Sequence, residues 1–163
     1  MFGLTTLGLV HTIISLFAVA AGFVALIRDG KITWDNALGK FYVITTVLVC
    51  LTGFGIFQHG GFGKPHALGI LTLIVLAIAF ATGKGSPFGK FAPYLQIICY
   101  SMTFFFHWVP AITETSTRLP LDAPLASSPD DPRIQAAIGV CLVLFIIGTT
   151  LQIVMLRKRL QKA

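Results

Sequence analysis

Long apolar runs alternate with short polar breaks along the whole chain. The runs cover residues 4–27, 39–57, 66–82, 91–109 and 136–156. Each is long enough to cross the hydrocarbon of a bilayer as a helix, the third with least to spare. Helices satisfy their own backbone hydrogen bonds, which lipid cannot do for them. The pattern therefore predicts an all-α fold: one transmembrane domain over residues 1–163, a bundle of five helices. The first run has no basic residue before it and exceeds the apolar stretch of a signal peptide, so it reads as an uncleaved helix.

The breaks differ in kind. Gly60-Gly61, Gly63-Lys64-Pro65 and Gly83-Lys84-Gly85-Ser86-Pro87 end helices and make tight turns. His59, beside Gly60, reads as a solvated turn residue. The stretch 110–135 holds Pro120, Pro124, Pro129 and Pro132 with Ser127-Ser128, which predicts an extended, partly mobile loop.

Composition removes the soluble alternatives. Hydrophobic residues make up 55% and charged residues 11% of the chain, with a mean hydropathy of +0.85, so lipid is its solvent. The net charge of +6 does not indicate nucleic acid, because the basic residues sit at the ends of apolar runs instead of forming a patch interleaved with aromatics. Arg28, Lys31, Lys40, Lys84, Lys90, Arg157, Lys158, Arg159 and Lys162 share one side after five crossings. The positive-inside rule makes that side cytoplasmic, with the N-terminus outside and the C-terminus inside. Cys50, Cys99 and Cys141 lie within apolar runs without paired spacing, so neither a disulfide framework nor a zinc ribbon is indicated.

This topology brings the histidines to one face. His66 opens the third helix, His107 lies near the outer end of the fourth, and His11 lies roughly 10 Å below the outer boundary at 1.5 Å per residue. An intramembrane imidazole is costly and points into the bundle or pairs with something. In the fourth helix Gln96, Tyr100, Thr103 and His107 recur at helical spacing, so they share a face that cannot prefer lipid. Gly8, His11, Ser15, Ala18 and Gly22 form a small and polar stripe on the first helix, and His66, Gly69 and Thr72 do so on the third. The sequence thus predicts that the first, third and fourth helices meet around His11, His66 and His107, with Gln96, Tyr100 and Thr103 beside them.

Imidazoles at one level offer several chemistries. Two on facing helices can ligate haem b iron, and three with a carboxylate such as Glu114 can hold zinc, copper or iron. An imidazole can also carry protons or bond a quinone oxygen. The leading expectation is a membrane redox protein in which His11, His66 and His107, or two of them, hold haem b or a transition metal and exchange electrons with quinone or another redox protein. The alternative is a non-enzymatic membrane subunit or small permease whose histidines pack helices or move protons. No Ser-His-Asp set, paired intramembrane carboxylates, phosphate loop or His-Glu-x-x-His helix is present. Gln152, in the inner half of the fifth helix, reads as a helix-packing hydrogen bonder. The small residues on helix faces are compatible with a homo-oligomer.

From Gly22 to about Pro110 the chain resembles a family of small bacterial membrane proteins described only as a domain of unknown function, number 2306. The resemblance rests on Gly22, on Arg28-Asp29-Gly30, on Leu38-Gly39-Lys40-Phe41-Tyr42-Val43 and on Phe62-Gly63-Lys64-Pro65-His66. It implies a multi-pass protein of the bacterial inner membrane. The family often has a His-Arg pair where this chain has Asp35-Asn36, and a basic His pair where it reads Phe88-Gly89-Lys90-Phe91. Only the position of His66 carries over.

Overall fold

A computed structural model describes residues 5–57, 61–83 and 87–162; His59 lies outside them. The described residues form α1 (Thr6–Asp29), α2 (Ala37–Gly53), α3 (Lys64–Ala81), α4 (Ala92–Arg118) and α5 (Pro132–Leu160), with a short 3-10 turn before α4 and no strand among them. α1, α3, α4 and α5 are long and apolar enough to cross a membrane. α2 is shorter, at 17 residues. That is roughly 26 Å of helix at 1.5 Å per residue.

The helix starts are set by side chains that take up orphan amide hydrogens. Thr5 Oγ1 accepts from the Gly8 amide at 3.1 Å, Asn36 Oδ1 from Gly39 at 2.8 Å and Asp131 Oδ1 from Arg133 at 2.8 Å. α1 ends at Gly30, whose φ of 69° lies in the left-handed region that glycine adopts without strain. Its amide bonds Leu26 O at 3.1 Å.

α1 packs along α2, α2 against α3, and α3 against α4, while α1 also touches α4 over a shorter stretch. α5 lies outside this group and packs on α4. Tyr42 of α2 and Tyr100 of α4 are buried at the centre, among Ala21, Ala25, Val75, Leu76, Ala79 and Cys99. Close approach here depends on glycine. A Cβ on Gly22 would stand 2.6 Å from Phe104 Cδ2 and 2.9 Å from Tyr42 Cε2, and one on Gly39 would stand 1.7 Å from the Thr33 carbonyl oxygen. Leu16, Phe17, Ile27, Val140, Leu144 and Leu151 point outward and are exposed, as expected of surfaces facing lipid.

Four boundaries differ from the sequence expectation by about a turn or more. α2 stops at Gly53 instead of continuing to residue 57, where the tight Gly53-Phe54-Gly55 turn begins. α4 runs through Pro110 to Arg118. Proline forfeits one ladder bond, but a well-packed transmembrane helix tolerates that loss. The loop is therefore residues 119–131, and it folds back: the Ala126 amide donates to Ser116 O at 2.9 Å, and Ala126 is buried. The other two are in α5, which begins at Pro132, about a turn before residue 136, and runs to Leu160, about a turn beyond residue 156.

Candidate functional site

Hydroxyl groups inside a transmembrane helix bond the carbonyl one turn back unless something better is in reach. On α2, Thr46 Oγ1 donates to Tyr42 O at 2.8 Å and Thr52 Oγ1 to Leu48 O at 2.7 Å. Each oxygen keeps lone pairs, and an imidazole from another helix fills one. His107 Nε2 of α4 lies 3.1 Å from Thr46 Oγ1, and His11 Nδ1 of α1 lies 3.0 Å from Thr52 Oγ1. Because the hydroxyl hydrogens are already given to carbonyls, the ring nitrogens are the donors. The network thereby assigns the tautomers: His107 is protonated at Nε2 and His11 at Nδ1.

A third pair follows the same rule. Thr103 Oγ1 of α4 donates to Tyr100 O at 2.9 Å, so it accepts from Tyr42 OH, 2.9 Å away. Tyr42 also meets His107 edge to face at 6.0 Å. α2 is therefore the helix on which both intramembrane imidazoles converge. Thr46 and Thr52 are six residues apart, roughly 9 Å along the axis and about 120° around it, so one faces α4 and the other α1. The sequence expectation that α1, α3 and α4 meet around three histidines gives way to two separate contacts on α2.

His66 does something else. It is buried at the start of α3, where its Nδ1 accepts from the Gly63 amide at 3.2 Å and caps its own helix. Its ring stacks on Phe57 at 5.0 Å and on Phe62 at 5.3 Å. With Nδ1 accepting, the proton of the neutral ring sits on Nε2, which is buried without a partner among the described residues.

The polar face read on α4 is largely interior: Tyr100, Thr103 and His107 are buried and Gln96 is half-buried. The Tyr100 hydroxyl has no partner among the described residues. Glu114 pairs with Arg118 one turn on. Among the described residues, no three His, Cys, Asp or Glu side chains converge to hold a metal ion.

The sequence analysis passed over Tyr42, Thr46 and Thr52. Their signal was present, since Tyr42, Thr46 and Thr52, like Thr45, are hydroxyl residues in a mainly apolar run and need partners for the same reason that a histidine does. At the opposite end, Gln152 of α5 acts as the sequence suggests. Its Oε1 accepts from Ser101 of α4 at 2.8 Å, and its Nε2 donates to Gly30 O at the end of α1 at 2.9 Å.

Comparison of the chain with protein-family models, with curated proteins and with solved structures finds no match.

Proposed function

We propose that the chain is a non-enzymatic multi-pass subunit of the bacterial inner membrane, whose intramembrane histidines latch α1 and α4 onto α2. One observation carries this reading: every threonine that receives a ring donor returns its own hydrogen to its own helix backbone. A proton relay needs members that accept on one side and donate onward along the track. Here His107 to Thr46 ends at Tyr42 O, His11 to Thr52 ends at Leu48 O, and Tyr42 to Thr103 ends at Tyr100 O. Each path terminates after two bonds, which suits holding helices together.

The same reading takes the N-terminus as outside and the C-terminus as cytoplasmic. Its support is the basic charge at one end of the bundle, where Arg28, Lys31, Lys40, Lys90, Arg157, Lys158, Arg159 and Lys162 gather. The outward apolar faces then meet lipid.

A second reading, the redox one, is favoured by His11. A metal-bound histidine holds its other nitrogen in a hydrogen bond that fixes the ring. His11 has that arrangement, with Nδ1 on Thr52 and a lone pair on Nε2. His107 and His66 are less suited, because Thr46 engages Nε2 of one ring and the proton of the other sits on Nε2. A pair of axial histidines for haem b does not fit these tautomers, so a haem or transition metal serving electron transfer with quinone would depend on His11.

An absorption spectrum and metal analysis of the purified protein separate the two readings. The latch reading expects no Soret band and no stoichiometric metal. A Soret band or bound metal that disappears in His11→Ala would replace it with the redox reading.

A further inference from the structure

We propose that a cleft at the basic end of the bundle binds the phosphate of an anionic phospholipid. The cleft lies where the end of α1, the first half of α4 and the last turns of α5 meet, and its lining is chemically mixed. The cations Lys31 and Arg159 line it together with the apolar side chains of Ile97, Met155 and Leu156. Among the described residues neither Lys31 nor Arg159 has a carboxylate partner.

Gln152 also lines the cleft and is 8% exposed. Its amide nitrogen uses one hydrogen on Gly30 O and brings a second for another acceptor. The carboxylate at the same place, Asp29, is already held by two bonds from Arg28 at 2.8 Å each and one from Asn36 at 3.0 Å. The open charge of the cleft is therefore positive.

Two cations and a buried amide donor beside apolar side chains match a molecule with an anionic head and hydrocarbon tails. Basic pockets between helices at the membrane surface are a recognised form of phospholipid site. A free phosphate would use the cations and leave the Met155 and Leu156 side chains uncovered. Lipid at this position would join α5, which packs on α4, to the end of α1, alongside the Gln152 bridge.

Native mass spectrometry of the full chain in mild detergent, given phosphatidylglycerol and phosphatidylcholine in equal amounts, tests the site. The wild-type protein should retain phosphatidylglycerol preferentially. The Lys31→Gln, Arg159→Gln double variant should weaken that retention by roughly thirtyfold, taking two surface cations at their usual strength. Arg157→Gln with Lys158→Gln removes the same charge from the same end of the bundle and should change retention much less. Equal loss in both double variants, or equal retention of the two lipids, overturns the proposal by reducing the effect to general charge. Displacement of the lipid by inorganic phosphate alone overturns the role of the apolar side chains. Met155→Glu, which leaves every cation in place, should also lower retention, and unchanged retention there counts against the cleft.

Discussion

Thr46 takes the Nε2 hydrogen of His107 at 3.1 Å while giving its own hydroxyl hydrogen to Tyr42 O at 2.8 Å. The threonine is thus a fixed acceptor, and His107 is a buried donor between two helices. Lipid gives helices no hydrophobic reason to associate, so small residues and such cross-helix bonds carry more of the burden than in water. The bundle has both, with Gly22 under Phe104 and Tyr42, and the imidazole pairs on α2.

Glycine at position 39 is required by the backbone. A Cβ there would overlap the Thr33 carbonyl, and a main-chain atom cannot rotate away as a side chain can. Gly39→Ala is expected to abolish recovery of folded protein. Gly22→Ala meets two rings that can shift and should cost about 1 to 3 kcal/mol. Size-exclusion chromatography and thermal melts of the two variants in one detergent check the ranking, and a well-folded Gly39→Ala protein would refute it.

Gln152→Leu removes the bonds to Ser101 and to Gly30 O together. A loss of roughly 1 to 2 kcal/mol is expected, at about 0.6 kcal/mol or somewhat more for each membrane hydrogen bond. Hydrogen exchange should show the loosening at the C-terminal half of α5, and unchanged exchange there would contradict the bridge.

The start of α5 should respond to acid. Hydrogen bonds from Arg133 hold the Asp131 carboxyl below the usual carboxylate range, so its folded value lies below that of the unfolded chain. The resulting stability is fully present above the ordinary carboxylate value and fades as pH falls through the folded one. Amide exchange in the first turn of α5, with Arg133 as reporter, should quicken in that acidic window. Asp131→Asn, which still caps a helix, should lose the pH dependence, and an unchanged dependence would assign it to another group.

Much of the fold is legible in the sequence because lipid imposes a simple rule on length and polarity. The interior face of α4 follows from spacing alone, since Tyr100, Thr103 and His107 recur at helical intervals and all are buried. Pro110 misled because a proline usually marks the end of a helix in water, whereas α4 continues past it. The site was less legible. Histidines attract notice and threonines do not, so α2 was read as a plain span although Thr46 and Thr52 organise the contacts. His66 was grouped with the other rings by level, while its position three residues after Gly63 lets it cap its own helix. Spacing gives depth and face, but the direction of each hydrogen depends on which acceptors the fold supplies.

The most direct test of the latch is the thermal stability of His107→Gln and His107→Leu beside the wild type in one detergent. Glutamine keeps an N–H that can reach Thr46, and leucine does not. The latch predicts that His107→Gln melts close to wild type and that His107→Leu falls by roughly 2 to 4 °C, the shift of about 1 kcal/mol in a chain of this size. Equal destabilisation by both substitutions would contradict it, by showing that the protein needs the imidazole itself and not the hydrogen it donates.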